Sequence, residues 1–501
     1  MVADCGAWTP DESRVSLDSP ESSLRTIFFL LSKSLDIHTV IRICLEVDML
    51  LRKKLCIPGF QILVNCALAI LLLIAIVLRV SLYHIVTTDY TFFLSQWYDF
   101  IQTHGGFAAL KYNFSNYNPP YLYLLALTTY LPIPKLVAIK TLSVVFDGVL
   151  GLFTYLILSL KFRRSYAAII GVLVVLFAPT IVINSAAWGQ SDAIYTAFCL
   201  GSLYFLLKER PGWASVFFGL AISFKLQAIF FLPVLLIVLL RRKWAMKYLL
   251  LIPAVFLLML APAFLAGRDA WSLLTIYVGQ ITSAGVGGPG QFNGGAPGQF
   301  YDVRPGQSNG IGRGPFNGGG PGGGGFSSSS FTFNAPSFYQ WLPAGVPEYW
   351  KWIGIILAVT FVVLIGVLIL ASKKQLTPAI ILKVALVFAL AIPFFLPEMH
   401  ERYFYLADVL SIIYAFYFPR YFFVAVIMQL CSLLSYAPYF LQTSIVNLAY
   451  VAIIVLFITV ITTADLVLTL IPTFEKKQPY KPVHENFPIF LQYASHDFLL
   501  H

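Results

Sequence analysis

Residues 59–83 read GFQILVNCALAILLLIAIVLRVSLY. An apolar run of this length can cross the ~30 Å hydrocarbon core of a membrane as a single helix. Residues 84–100, HIVTTDYTFFLSQWYDF, follow directly and place the carboxylate of Asp89 among aromatic side chains. The two stretches together predict an integral membrane protein with a polar feature just beyond its first span.

The composition of the whole chain supports the same conclusion. Of its 501 residues, 58% are hydrophobic and 11% are charged, whereas an ordinary soluble domain is about 25% charged. A soluble protein this apolar could not cover its surface with polar groups, so the lipid bilayer must surround most of it. The net charge of +10 does not indicate a nucleic-acid partner, because the basic residues form short clusters at the ends of apolar runs. The six cysteines lack CxxC spacing, so neither a disulfide framework nor a zinc site is predicted.

The distribution of apolar runs predicts an all-α, polytopic membrane protein with about 12 transmembrane helices. Several runs are short for a full crossing, and these could be broken helices that line a cavity. The candidate spans are 59–83, 136–160, 166–184, 193–207, 212–224, 226–240, 247–266, 349–371, 376–396, 403–418, 421–437 and 444–470.

Basic clusters at the ends of these runs set the expected orientation, since Lys and Arg concentrate on the cytoplasmic side. The first cluster, 52–54, precedes the first span, and later ones lie at 161–164 and 241–243. The stretch PPYLYLLALTTYL (119–131) decides which side of the membrane the later clusters face. We interpret it as a half-buried element of the outer face because it is too short to span. Every cluster and both termini are then cytoplasmic, in either a bacterial inner membrane or an endoplasmic reticulum.

Three parts of the chain are predicted. They are a cytoplasmic N-terminal segment (1–58), a transmembrane domain (59–471) and a cytoplasmic C-terminal tail (472–501). Within the domain, a first outer loop (84–135) is expected to contain interfacial helices, and a second outer loop spans 267–345. Residues 285–330 of the second loop are rich in Gly, Pro and Ser. Such a composition cannot bury enough apolar surface to fold, so this insertion is predicted to be disordered.

Polar residues that could carry chemistry collect on the predicted outer face. Their gathering suggests one site, although loops are also polar simply because they meet water. The candidate residues are Asp89, Trp188, Gln190, Asp192, Lys225, Gln227, His400, Glu401 and Arg402.

An ionised carboxylate near the outer interface needs a partner or a task. For Asp89 the alternative role is a helix cap, since TTDY precedes a plausible helix start. In WGQSD (188–192), Trp188 suits the aromatic belt of the interface. A ring beside the amide of Gln190 and the carboxylate of Asp192 also suits a sugar; the alternative is again a helix start.

Two cations within apolar surroundings suggest an anionic ligand. Lys225 lies between two apolar runs and is costly there unless it snorkels or meets an anion such as a lipid phosphate. Arg402 could grip a phosphate with two N–H groups, and Glu401 could hold Arg402 or Lys225. Alternatively, His400, Glu401 and Arg402 are a polar cap on a buried helix. They cannot all ligate one metal, and no HExxH spacing is present.

Several motifs, in order, resemble those of the GT-C superfamily of polytopic glycosyltransferases, and in particular bacterial proteins related to the second mannosyltransferase of GPI-anchor assembly. The resemblance covers roughly residues 60–435, and WGQSD is its most specific part. The motifs are TTDY (87–90), YNPPYLYLLAL (117–127), IKTLSVVFDGVLGLFTYLI (139–157), APTIVINSAAWGQSDAIY (178–195), SFKLQAIFFLP (223–233) and HERYFY (400–405).

The resemblance implies an inverting transferase that moves a hexose, with mannose the expected one, from a polyprenyl- or dolichyl-phosphate sugar to an acceptor on the non-cytoplasmic face. An acidic residue of the first outer loop acts as base in such enzymes, which implies Asp89. Many relatives carry a second acidic residue beside the first, but here the neighbour is Tyr90 and the nearest other acid is Asp99. Nothing in the sequence requires a metal or other cofactor, although Asp89 together with a donor phosphate could hold a divalent metal weakly. The acceptor, whether glycan, lipid or protein, stays open.

Two other classes of protein compete with this interpretation. A transporter or lipid flippase would explain the many spans and the intramembrane charges. It predicts inverted repeats with matched broken helices, and no such symmetry is visible in the sequence. An inactive structural or assembly subunit is the third possibility. The chain keeps the acid Asp89, the lysine Lys225 and the aromatic-amide pair of Trp188 and Gln190 together, which argues against it.

Overall fold

The structure is a computed structural model that describes residues 58–163, 166–283, 331–343 and 345–471. The expectations for the N-terminal segment, the Gly-rich insertion and the C-terminal tail concern residues outside these ranges. The same holds for the first basic cluster, 52–54.

The described chain is almost entirely helical, and a helix lies at each of the twelve apolar runs, which confirms the all-α prediction. The α-helices are α1 (Pro58–Ser81), α2 (Ser95–Thr103), α3 (Pro119–Thr128), α4 (Lys135–Lys161), α5 (Ala167–Phe177), α6 (Pro179–Val182), α7 (Asp192–Leu207), α8 (Pro211–Phe224), α9 (Leu232–Arg241), α10 (Leu251–Leu265), α11 (Ala270–Leu274), α12 (Ile276–Ser283), α13 (Tyr349–Ala371), α14 (Pro378–Phe395), α15 (Tyr405–Tyr417), α16 (Phe422–Leu441) and α17 (Leu448–Leu470).

Short turns of other helical geometry extend or connect these helices. Two are π turns, at Tyr90–Leu94 and Ile183–Trp188. The others are 3₁₀ turns, at Gly106–Lys111, Leu226–Phe231, Met246–Leu250, Phe338–Trp341 and Pro419–Tyr421.

Among the described residues, seven helices are long and apolar enough to cross a membrane. They are α1, α4, α10, α13, α14, α16 and α17, with the preceding 3₁₀ turn included for α10 and α16. The pair α5–α6 would be an eighth span, and four further apolar helices have only 10–17 residues. The chain is therefore a polytopic membrane protein, while the predicted count of about 12 spans is not confirmed and remains a prediction.

The break between α5 and α6 has a local cause. Pro179 begins α6, and a residue before proline is pushed out of the helical region of backbone space. Ala178 accordingly has φ −59° and ψ 124°, and the two segments meet at a bend of 52°. The run 166–184 is therefore a broken helix, while the expectation that the shorter runs are broken helices lining a cavity remains a prediction.

Successive passes run between two ends of the bundle. Lys225, where α8 ends, contacts Asp192, where α7 begins. Arg241, where α9 ends, donates hydrogen bonds to carbonyls of the loop between α13 and α14. We call the end with Asp89, Asp192 and Lys225 the carboxylate end, and the opposite end, with Arg241, the basic end.

Helix α3 belongs to the carboxylate end and fits the expectation for 119–131. Its ten residues rise about 15 Å, half of the ~30 Å that a span requires. The side chain of Asn118, just before it, donates to the carbonyl of Ser223 at 2.7 Å. With α2 and α3, the predicted first outer loop (84–135) does contain short helices; its position outside the membrane remains a prediction.

The centre of the bundle is α14. Within its candidate span 83% of the residues are buried, against 11% for α1 at the periphery. After α14 the chain forms strand β2 (Met399–His400), which pairs in parallel with β1 (Thr332–Phe333). This small sheet fixes the HERY segment as a turn at the carboxylate end, outside any helix.

Candidate functional site

The Asp89 backbone is positioned by α16, 350 residues away in sequence. The Asp89 amide donates to the Tyr439 hydroxyl oxygen at 3.0 Å, and Thr88 Oγ1 donates to the same oxygen at 2.8 Å. Thr87 Oγ1 accepts from the Tyr90 amide at 3.3 Å, while the Asp89 side chain makes no capping bond. The alternative that Asp89 serves as a helix cap is therefore wrong, and Thr87 takes that role.

The Asp89 carboxylate is held through one oxygen. Trp188 Nε1 donates to Oδ2 at 3.0 Å, and Gln190 Nε2 donates to the same atom. Among the described residues nothing donates to Oδ1, and the side chain is 22% exposed. The carboxylate is thus oriented by neutral donors and keeps one oxygen free for a ligand.

Both donors stand on a turn whose shape depends on glycine. The π turn Ile183–Trp188 ends at Gly189, which has φ +79°, a left-handed conformation that favours glycine. Next to Gly189 lies the buried side chain of Lys140, whose ammonium donates to the carbonyls of Leu82 (3.3 Å) and Ile85 (2.6 Å). Lys140 therefore fixes the chain that leads from α1 to Asp89.

The predictions for the ring of Trp188 do not fit its surroundings. The side chain is 0% exposed and stacks on Tyr439, with ring centroids 4.2 Å apart. A buried ring can neither sit in the interface belt nor lie against a sugar in this conformation. Trp188 instead contributes its N–H to Asp89, and its substrate-binding role remains a prediction.

Arg402 joins three carboxylates. Its Nη1 lies 3.6 Å from Asp89 Oδ2 and 3.4 Å from Glu401 Oε1, and its Nε lies 3.7 Å from Asp192 Oδ2. The guanidinium also lies over the Trp188 ring, at 5.3 Å from the centroid. All three separations exceed the 2.7–2.9 Å typical of charge-assisted hydrogen bonds, so Arg402 is shared among its partners and bound tightly by none.

Lys225 has a different environment, because it is bound tightly by one acid. Its ammonium lies 2.6 Å from Asp192 Oδ1, and Asn184 Nδ2 donates to Asp192 Oδ2 at 3.0 Å. Both members of the ion pair are buried. The snorkelling alternative is therefore wrong, and a phosphate at Lys225 would have to compete with Asp192.

The remaining predicted residues are placed less centrally. The His400 ring stacks on Phe333 at 4.7 Å, and its Nδ1 is 3.9 Å from Glu401 Oε2. Gln227, two residues after Lys225, has a buried Oε1 without a hydrogen-bond partner and donates to none of these carboxylates among the described residues. The structure thus brings Asp89, Gln190, Asp192, Lys225, Glu401 and Arg402 together with Trp188, keeps His400 at the edge and leaves Gln227 outside.

Burial controls the protonation of Glu401. It raises the pKa of the Glu401 carboxyl to about 7, although the positive charge of Arg402 acts in the opposite direction. For Arg402, burial favours a lower pKa, but the carboxylates of Asp89, Glu401 and Asp192 outweigh it and keep the group charged. Three carboxyl groups therefore face two cations, and Glu401 is the one whose proton can balance the charge below about pH 7. Within the described ranges no group of three His, Cys, Asp or Glu side chains is arranged to hold a metal ion.

Three supporting residues carry no signal in the sequence that points to their role. Tyr439 lies beyond the stretch covered by the family resemblance, and no local pattern marks it. Lys140 and Tyr117 lie within quoted motifs, but neither stood out as polar contacts; the Tyr117 hydroxyl donates to Gln190 Oε1 at 3.5 Å. Their roles arise from contacts between distant segments, which a single sequence does not display.

Comparison with models of known protein families gives a match to part of the chain. The family model "Glycosyltransferase family 87" matches residues 114–301, less than half of the chain. The matched part contains Trp188, Gln190, Asp192 and Lys225, whereas Asp89 and Arg402 lie outside it. No curated protein matches the chain. The match supports a glycosyltransferase of the GT-C type and does not identify the sugar.

Replacing Tyr439 by Phe should loosen the Asp89 segment without unfolding the protein. The substitution keeps the ring on Trp188 but removes the oxygen that accepts bonds from Thr88 and Asp89. We expect amide hydrogen exchange in a peptide covering 84–94 to quicken by about tenfold, the effect of losing roughly 1.4 kcal/mol of protection. The exposed Tyr450, changed to Phe, is the control. Unchanged exchange in the Tyr439→Phe variant would contradict the positioning role.

The raised pKa of Glu401 predicts a pH-dependent stability difference between the wild type and Glu401→Gln. Between about pH 4.5 and pH 7 the folded wild type holds a proton that the unfolded chain releases, so its stability falls as pH rises through this window. The variant lacks this group. The melting temperature of the variant in detergent, measured at pH 5, 6, 7 and 8, should therefore increase relative to that of the wild type as the pH rises. A gap that stays constant across the series would refute the assignment.

Proposed function

We propose that this protein is an inverting membrane glycosyltransferase. It would transfer a hexose, with mannose the first candidate, from a polyprenyl- or dolichyl-phosphate sugar to an acceptor hydroxyl on the non-cytoplasmic face. The match to glycosyltransferase family 87 supports the reaction class. The observation that carries the mechanism is the partly exposed Asp89 carboxylate, fixed by Trp188 and Gln190 and open at Oδ1.

Asp89 is the proposed general base. The acceptor oxygen attacks the anomeric carbon from the side opposite the phosphate, and its proton passes to Asp89 Oδ1. The bond between that carbon and the phosphate oxygen breaks, its electron pair leaves with the lipid phosphate, and the new glycosidic bond has the inverted configuration. Asp89 then releases the proton to solvent. A positioned base of this kind accelerates a reaction by about 10²–10⁴-fold.

Arg402 is the proposed partner of the departing phosphate. Its contacts with carboxylates are 3.4–3.7 Å long, so it can turn to a phosphate without breaking a short bond. A guanidinium also offers two parallel N–H groups to phosphate oxygens. Protonated Glu401 would leave more of the Arg402 charge available, since it no longer competes for that charge.

Lys225 is assigned a supporting part in this scheme. Its 2.6 Å ion pair with Asp192 commits the ammonium to an internal partner. Asp192 in turn is the acid nearest to Arg402 Nε. We therefore propose that Lys225 and Asp192 set the position of Arg402, with Asp192 as the link between them. The comparisons do not favour the transporter alternative.

The Asp89→Asn variant tests the base. It keeps an oxygen that can accept from Trp188 and Gln190 but cannot take a proton, so transfer should fall by at least about 100-fold. The measurement is transfer of radiolabelled mannose from polyprenyl-phosphate mannose to acceptors in a membrane extract, with purified full-length protein. Asp99→Asn is the control, since Asp99 is exposed in the same loop and pairs with Lys135. Transfer by Asp89→Asn within a few-fold of the wild type would exclude Asp89 as the base.

The Arg402→Lys variant tests the phosphate partner. It keeps the charge and loses the planar pair of N–H groups, so the KM for the donor should rise by about tenfold, equivalent to roughly 1.4 kcal/mol. The KM for the acceptor should change much less. Lys111→Gln, at an exposed lysine of the first loop, is the control. Equal changes in the two KM values, or none, would show that Arg402 does not contact the donor.

A further inference from the structure

A cavity of about 400 Å³ opens at the basic end, on the far side of the bundle from Asp89. Three turns form its walls: the one after α7, the one after α9, and the loop between α13 and α14. The lining residues are Glu209, Arg241, Arg242, Trp244, Lys373, Gln375 and Leu376. Because α7 begins at Asp192 and the 3₁₀ turn before α9 begins directly after Lys225, both elements run from the carboxylate end to the cavity, and the cavity and the Asp89 site are separate features.

The cavity has an excess of positive charge. Three of its residues are cations, and Glu209 is the single acid in its lining. Glu209 Oε1 lies 2.7 Å from Arg242 Nη1 and balances that arginine. Within the described part of the chain, no carboxylate lies within ion-pair distance of Arg241 or Lys373. Two of the positive charges at the cavity thus have no acidic partner among the described residues.

The two arginines are held in place by backbone carbonyls. Arg241 Nη2 donates to the carbonyls of Ser372 (2.7 Å) and Lys374 (3.1 Å), and Arg242 Nη2 donates to that of Leu376 (3.0 Å). The Arg242 guanidinium also lies over the Trp244 ring, 5.0 Å from its centroid. Cations at a helix end can be explained by the helix dipole alone. These side chains, however, reach across to another loop and form a fixed cationic surface.

Apolar surface continues from the cavity into the region that lipid would cover. Leu240, directly before Arg241, is 47% exposed, and Leu370, three residues before Lys373, is 42% exposed. A ligand with an anionic head group and acyl chains would contact both the cations of the cavity and this apolar surface, whereas a free anion would contact only the cations. Basic pockets between transmembrane helices on the cytoplasmic side are suited to anionic lipid head groups.

We propose that this cavity binds the phosphate head group of an anionic phospholipid, with Arg241 and Lys373 as its charged contacts. Arg242 and Trp244 shape the wall, and the acyl chains lie along the exposed leucines of α9 and α13. The proposal is independent of the glycosyltransferase reaction, since it concerns the opposite membrane surface.

The test compares lipid retention by purified full-length protein in detergent. Native mass spectrometry would count bound phosphatidylglycerol or phosphatidylcholine on three proteins: the wild type, Arg241→Gln/Lys373→Gln, and the control Arg163→Gln/Lys247→Gln. The control removes one exposed arginine and one exposed lysine outside the cavity lining. We expect wild type and control to retain phosphatidylglycerol at about tenfold lower lipid concentration than the cavity variant, equivalent to roughly 1.4 kcal/mol. Phosphatidylcholine should not distinguish the three.

Retention of phosphatidylglycerol by the cavity variant at the wild-type level would overturn the proposal. So would equal retention of phosphatidylcholine by the wild type, or displacement of the lipid by millimolar inorganic phosphate, which would identify a site for a free anion. A second measurement needs no variant. A photoreactive phosphatidylglycerol should label wild-type peptides covering 241–245 or 372–376, and labelling confined to other peptides would refute the site.

Discussion

The guanidinium of Arg402 is the charge on which the carboxylate end depends. Asp89, Asp192 and Glu401 all lie within 3.7 Å of it, and they come from three segments far apart in sequence. Acids buried at the edge of a membrane are costly unless they are paired. Without Arg402, Lys225 would be the one cation left beside these three acids among the described residues, so Arg402 lets the three segments meet in a single site.

The ion pairs at the carboxylate end differ in length, and this difference separates structural from chemical roles. The Lys225–Asp192 pair is short and buried, which suits a fixed support. The contacts of Arg402 are longer, and the Asp89 carboxylate is bonded through one oxygen only. Of these described groups, Asp89 and Arg402 are therefore the ones left available to a ligand, and they are the base and the phosphate partner of the proposed reaction. The proposed transfer from a phosphate-linked sugar to a hydroxyl requires such a pair.

Charge is also distributed unequally along the bundle. Among the described residues, the carboxylate end combines acids with matched cations, whereas at the basic end Arg241 and Lys373 have no acid within ion-pair distance. Such an asymmetry is expected of a membrane protein whose basic end faces the cytoplasm. The proposed reaction and the proposed lipid contact then belong to opposite surfaces of the same membrane. The bundle between them is organised around α14, whose span is 83% buried.

Sequence alone determined the membrane character, the helices at the twelve apolar runs and most of the polar residues that meet at the carboxylate end. These are local properties, because the length of an apolar run and the position of Pro179 act within one segment. Only the tertiary structure decided that Asp89 bonds to Trp188 instead of capping a helix, that Lys225 is committed to Asp192, and that Tyr439 holds the Asp89 amide. Those contacts join residues 33 to 350 positions apart. In a bilayer, apolar surface does not select helix neighbours as it does in water, so hydrophobic pattern could not reveal which side chains meet.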